Sequence, residues 1–311
     1  MDLRKTRQSR PPGPGGLLLR ELDRRIGLLF ILPALMVLVG LTLYPFLFNV
    51  YLAVHNVTLL NIRGAFWRFV GTANFERVLG DPFTHAAALR TVMFASISVA
   101  CQLTLAMAAA LAFNRAFKGK PVLMVLALVP MMVTPVVVGI AWRMLLNYDW
   151  GLINYTLGLV GIRPQLWLSD PTMAFVSIVL VQVWWGVSFA MLVILGGLAS
   201  ISPSLYEAAE VDGANDLQMF RHITLPMLVP VLLVIGTIKI IDAMREFDLI
   251  FSLTGGGPGG ATRVFALELY YTAYERGSFG MSAAQALLLM ALVVLLTIRL
   301  IGLLGERKPV E

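Results

Sequence analysis

Six long apolar stretches run through this 311-residue sequence, at Ile26–Val54, Ala86–Phe113, Val122–Leu146, Met173–Ala199, Met227–Ile250 and Met281–Leu304. Each exceeds the roughly 20 residues a helix needs to cross the hydrocarbon core of a bilayer. Stretches of 20 or more nearly uncharged residues recur along the chain, which is the signature of transmembrane helices. The pattern therefore predicts six transmembrane helices. Prolines at Pro33, Pro45, Pro130, Pro135 and Pro230 fall inside or near the ends of these spans. Membrane helices accept them where neighbours or water satisfy the freed carbonyls.

The segment before the first span is polar and basic and includes "RPPGPGG". Pro and Gly at that density build no core, so residues 1–25 are expected to form a disordered basic tail. The apolar run after Arg25 is too long for the apolar region of a signal peptide, and no small-residue cleavage site follows it. It is read as a retained span, and residues 26–311 as one six-helix membrane domain. No internal repeat is evident, which gives no support to inverted-repeat transporters.

Composition agrees: 58% of residues are hydrophobic and only 14% charged, against about 25% charged in soluble domains. The single cysteine, Cys101, excludes an intrachain disulfide and reads as a small buried or lipid-facing residue. His55, His85 and His222 have no ligand spacing, so no metal site is assigned. The net charge of +6 is spread over loops and tail, which suits an anionic membrane surface better than a nucleic acid. With six spans, thirteen Lys and Arg fall on the side of the termini and six on the other. The positive-inside rule then puts both termini in the cytoplasm.

One connection is longer and more polar than linking two spans requires. It includes "EAAEVDGANDLQMFRHITLP", Glu207 to Pro226, and on this orientation it is cytoplasmic. It reads as two short helices. Ser202 is expected to cap the first, with Pro203 at the first helical position. Ile201, Leu205, Ala208 and Ala209 share a face, and Glu207 and Glu210 point elsewhere. Gly213 suits the left-handed residue that ends a helix. Asn215 and Gln218 have the spacing of a capping box. Pro226 and Pro230 are expected to redirect the chain into the fifth span. Small alanines edged by acids make a knob that another protein can approach closely.

These residues carry a resemblance. Glu207-Ala208-Ala209, Gly213-Ala214, Phe220, Ile223, Leu225-Pro226 and Pro230 resemble the EAA loop of bacterial ABC importer permeases. "DGA" at Asp212–Ala214 is similar to the carbohydrate branch. "YPFLFNVYLAV", "FVGTANFERVLGDP", "GLINYTLGLVGI" and "FDLIFSLTGGGPGGAT" resemble the sugar permeases of maltose and glycerol-phosphate systems. The resemblance covers the chain from about Ile26. It implies an all-α membrane fold in the bacterial inner membrane, with a cytoplasmic coupling helix within 200–226. Glu207, Ala208, Ala209, Asp212, Gly213, Ala214 and Phe220 would dock on a separate ATPase. It also implies a second, different permease, two ATPase subunits holding ATP and Mg, an extracytoplasmic binding protein and a sugar substrate. The chain itself would be no enzyme and hold no cofactor.

No G-x-x-x-x-G-K-[ST] occurs, so the sequence carries no Walker-type phosphate loop. "GGGPGG" at Gly255–Gly260 reads as a turn. Span five carries Lys239, Asp242, Arg245, Glu246 and Asp248, each costly in a bilayer unless paired or hydrated. Their spacing permits a local ion-pair ladder. The same face could line the translocation path, and the two readings are compatible. Asp242, Arg245, Glu246, Trp185 and Asn147 are the path candidates. Trp142 and Trp184 could also stack on a sugar, or anchor at the interface. Arg143 is expected to snorkel. An intramembrane enzyme lacks any nucleophile motif. A proton-coupled secondary transporter using Asp242 or Glu246 would leave the polar hairpin unexplained.

Overall fold

The computed structural model describes residues 30–64 and 66–305; the tail expected at 1–25 lies outside them. Among the described residues, those up to Leu52 and those from Ala53 onward form two separate compact units. Five helices among the described residues are long and apolar enough to cross a membrane. They are α1 (Phe30–Ala53), α3 (Pro82–Asn114), α7 (Pro171–Ala199), α9 (Asp216–Met244) and α12 (Phe279–Gly305). Between α1 and α3 lie a two-residue antiparallel ladder, β1 (His55–Asn56) with β2 (Arg68–Phe69), and α2 (Ala73–Gly80).

The third span departs from the straight helix expected at Val122–Leu146. It is a bent pair, α4 (Lys120–Met132) and α5 (Pro135–Leu145), meeting at 103° and followed by the short α6 (Leu152–Leu159). The residue before a proline avoids the helical region, and Val133 and Thr134 are both extended before Pro135. The break frees carbonyls at membrane depth, where each needs a partner. Trp185 of α7 supplies one, its indole N–H donating to the Val133 carbonyl at 3.0 Å.

Two prolines are absorbed differently. Pro45 and Pro226 each follow a five-residue π turn, Val39–Leu43 and Phe220–Thr224. The residue before each proline reaches back five positions, Tyr44 to Val39 and Leu225 to Phe220. Proline offers no N–H and crowds the carbonyl four residues back, and the wider turn makes room for it. Pro226 and Pro230 therefore do not redirect the chain: helix continues from Asp216 to Met244.

The centre of the second unit is the pairing of α3 with α7. Small residues let these helices approach: a Cβ at Gly186 would fall 2.4 Å from the Gln102 amide nitrogen. That nitrogen instead donates to the Gln182 carbonyl at 2.9 Å. Ser188 ties α7 to the Ala127 carbonyl of α4 at 2.6 Å. Phe94, Ile178 and Leu249 fill one core, and Ala106, Met191, Ile194 and Leu228 a second. Cys101 is exposed.

The fifth span ends at Met244, short of the expected Ile250, and a seven-residue helix α10 (Asp248–Thr254) follows. Glu246 sits at this break, its Oε1 accepting from the Leu249 N–H at 3.1 Å. α10 packs on α5, where a Cβ at Gly139 would lie 2.8 Å from the Leu249 carbonyl oxygen. The Gly255–Gly260 turn follows as expected, with positive φ at Gly255, Gly256, Gly259 and Gly260. Tyr271 Oη braces it by donating to the Gly255 carbonyl at 2.6 Å.

Beyond the turn, α11 (Phe265–Tyr274) is held in an ion knot. Glu268 is 1% exposed and pairs with Arg263 at 3.6 Å and with Arg276. Arg276 also pairs with Asp81 at 2.9 Å, and Asp81 caps α3 by accepting from the Phe83 N–H and the Thr84 hydroxyl. The guanidinium of Arg263 lies over the Tyr271 ring and that of Arg276 over the Phe83 ring. Burial pushes the Glu268 carboxyl up, and Arg276 and Arg263 oppose it only in part. Burial also works to raise Asp81, but its bonds to Arg276 and Thr84 outweigh it and hold that carboxyl below its usual value.

Candidate functional site

The polar connection between α7 and α9 folds as a helical hairpin from local signals. Its first arm, α8 (Pro203–Val211), begins at Ser202 with Pro203 at the first position. The expected side-chain cap is not made there: the Ser202 hydroxyl bonds the Ser204 hydroxyl at 2.8 Å, a partner as close in sequence as the backbone amide it was expected to cap. The arm ends at Gly213, φ +78°. The Gly213 N–H donates to the Glu210 carbonyl at 3.0 Å and the Ala214 N–H to the Ala209 carbonyl at 2.9 Å. This six-to-one and five-to-two pair closes a helix on a left-handed residue.

Asn215 then starts α9 with the full capping box. Its Oδ1 accepts from the Gln218 N–H at 2.9 Å, and Gln218 Oε1 accepts from the Asn215 N–H at 2.8 Å. The arms are joined across the hairpin by the Tyr206 and Thr224 hydroxyls, 2.9 Å apart. A cavity of about 330 Å³ lies between them, lined by Ala209, Asp212, Gly213, Ala214, Met219 and Ile223 among others.

What this hairpin leaves outside is unusual for a loop. Glu207, Ala208, Glu210, Asp212 and Gly213 are exposed, while Ala209, Ala214 and Phe220 are half-buried. Among the described residues Glu207, Glu210 and Asp212 have no ion-pair partner. Val211 is 89% exposed and Leu217 73%. Sequence reasoning missed these two apolar side chains, although their signal was available as apolar letters in a polar stretch. It also missed Arg115, at the end of α3, which pairs with Asp216 at 3.1 Å. No local pattern could have revealed a pair 101 residues apart.

The path candidates divide. Asp242 and Arg245 form a half-exposed pair at 3.2 Å, the one rung of the expected ladder that is formed. Lys239 is buried instead on an aromatic shelf, its ammonium 5.7 Å from the Trp185 ring centre and 5.1 Å from that of Phe189. Attraction of this kind strengthens as water is removed. Trp185 is thus committed at both its N–H and its face. Glu246 is buried and caps α10. Asn147 Oδ1 accepts from the N–H groups of Asp149 and Trp150, shaping the turn after α5. Trp142 and Trp184 stack edge to face, 5.4 Å between centres.

A bent third span and an exposed helical hairpin after the fourth are features compatible with the transmembrane subunit of an ABC importer. Residues 102–308 match the family model described as "Binding-protein-dependent transport system inner membrane component", and the chain belongs to that family. It is a multi-pass inner-membrane component of such a system. The chain is 37% identical, over 90% of its length and 94% of the relative's, to the trehalose/maltose transport system permease protein MalF of Thermococcus litoralis. It is 31% identical, over 88% and 89%, to the sulfoquinovosyl glycerol transport system permease protein SmoG of Agrobacterium fabrum. In fold it is similar to a chain of a bacterial ABC transporter involved in the import of the acidic polysaccharide alginate, with a TM-score of 0.79, 20% identity, and 94% and 99% of the two chains covered.

Proposed function

We propose that this permease carries a sugar or sugar-like solute into the cell as one half of a transmembrane pathway. Its other half is a second, different permease chain. Two ATPase subunits, which bind ATP and Mg, sit on the cytoplasmic side with both termini of this chain. A binding protein delivers the solute from outside. The names of the relatives, all solute permeases, support the sugar assignment.

The observation that carries the coupling role is the exposed hairpin. It presents Glu207, Ala208 and Asp212 with no partner for either acid among the described residues, on a scaffold rigid through the Gly213 turn and the Asn215–Gln218 box. A preorganised surface loses little conformational entropy on docking. The small alanines admit a cleft wall close to the backbone, and the acids meet basic groups at its edge. ATP-driven approach of the two ATPases then pulls on α7 and α9, the spans that flank the hairpin. Asp242 near the end of α9 and Arg245 just past it, both half-exposed, face the pathway or the second permease, where a hydroxyl-rich solute can bond to either charge.

The test is ATP hydrolysis by the reconstituted complex with and without loaded binding protein, beside a pull-down of the ATPase. Glu207→Lys is expected to abolish stimulation or assembly while leaving membrane insertion intact. Normal stimulation together with normal assembly would refute the docking role.

A further inference from the structure

The loop from His55 to Phe69 is fastened at its base and bare at its tip. The Leu59 N–H donates to the Gly277 carbonyl at 2.7 Å and the Gly280 N–H to the Val57 carbonyl at 3.0 Å. The Asn74 amide bridges the Ala53 and His55 carbonyls at 2.8 and 2.9 Å. These anchor points are ends of spans: Ala53 closes α1, Gly280 lies in the first turn of α12, and α2 leads directly into Pro82 of α3. The base is therefore held at the level of the membrane surface, on the side opposite the 203–224 hairpin by the order of the spans.

From that base the loop presents Leu60, 99% exposed, and Phe66, 95% exposed, with Phe69 exposed on the ladder at its foot. Arg63 and Arg68 are exposed beside them and form no ion pair among the described residues. No Asp or Glu occurs between His55 and Phe69. Large apolar side chains left bare together mark a surface that meets something. Aromatic and aliphatic side chains with arginines, held at span ends, match the headgroup layer, where the apolar parts enter the acyl boundary and cations meet phosphates.

We propose that the 55–69 loop is a membrane-surface anchor, seating Leu60 and Phe66 in the outer leaflet with Arg63 and Arg68 on lipid phosphates. Its occupant is lipid rather than the binding protein, because its fastening fixes it at the bilayer surface and its charge is wholly positive. The anchor is independent of which solute is carried.

The experiment places a nitroxide label at Leu60→Cys in a Cys101→Ala background. The full complex is reconstituted in nanodiscs of phosphatidylcholine and phosphatidylglycerol. Leu60 is fully exposed, so the substitution leaves the fold untouched. The label is expected to collide with oxygen and to exclude a water-soluble nickel chelate, with no change when loaded binding protein is added. Replacing Arg63 and Arg68 by Gln is expected to move the label to shallower depth. Ready access of the nickel chelate would overturn the proposal. So would immobilisation of the label by the binding protein, or a depth indifferent to both arginines.

Discussion

Two acid-rich regions of this permease are built in opposite ways. In the knot around α11, Glu268 and Asp81 are both engaged by arginines of the same chain, and Glu268 is almost wholly buried. In the 203–224 hairpin, Glu207, Glu210 and Asp212 are exposed and unpaired among the described residues, although the backbone beneath them is closed by a left-handed turn and a capping box. The knot is complete in itself and spends its charges on holding α3 to α11. The hairpin is closed in its backbone yet leaves its acids without counter-charges among the described residues, as the proposed docking role requires. Acid content alone does not separate the two roles; the location of the counter-charge does.

The sharpest way to break the contrast is Gly213→Val. A Cβ there meets nothing within 4 Å, so any effect comes from the backbone, whose φ is +78°. A β-branched residue in that region costs about 1–3 kcal/mol, and relaxing the strain misaligns the two arms. Transport is expected to fall at least about tenfold, the effect of roughly 1.4 kcal/mol, with normal membrane levels, read by solute uptake beside an immunoblot.

Next comes Glu268→Gln. It leaves Arg263 without its partner and Arg276 with Asp81 alone, and breaking a buried pair costs about 3–5 kcal/mol. The expected outcome is a lower melting temperature of the purified complex, with the ratio of solute moved to ATP hydrolysed unchanged in what remains folded. Loss of coupling with unchanged stability would erase the distinction between the regions.

A smaller effect separates the two acids of the knot by pH. The Asp81 carboxyl lies below its usual 3.8 in the folded protein. Its contribution to stability is therefore present above pH 3.8 and is lost as pH falls through its lower folded value. Glu268 is raised above its usual 4.5, so its contribution is full below pH 4.5 and falls away as pH rises through its folded value. Asp81→Asn should flatten the acid limb of a melting-temperature profile, and Glu268→Gln the limb above pH 4.5.

Smallest is Arg115→Ala. The Arg115–Asp216 pair is exposed on both sides, and such pairs contribute about 0–1 kcal/mol. Stimulated ATPase activity is expected to stay within about twofold of wild type. A larger loss would make this tie a working part of the hairpin.

The hairpin was legible in sequence because its determinants are local. Gly213, Asn215 and Gln218 act through bonds spanning three to five residues, and each took its expected conformation. The knot was not legible, because Asp81 and Arg276 meet across 195 positions. Lys239 shows the same limit: spacing along α9 pointed to Asp242, but the ammonium rests on rings supplied by α7. Prolines were visible as letters and ambiguous in effect. Pro230 sits within continuous helix, Pro226 follows a π turn and Pro135 starts a new direction. What decides is whether a neighbour can take up the freed backbone groups, and neighbours come from elsewhere in the chain.

That dependence bears on how the protein is made. The Val133 carbonyl finds its indole donor 52 residues later in the chain. When the third span leaves the ribosome, the Trp185 side chain that completes its corner has not yet been synthesised. The break between α4 and α5 is written locally by Pro135, but the Val133 carbonyl gains this donor only once α7 has been made and lies beside it.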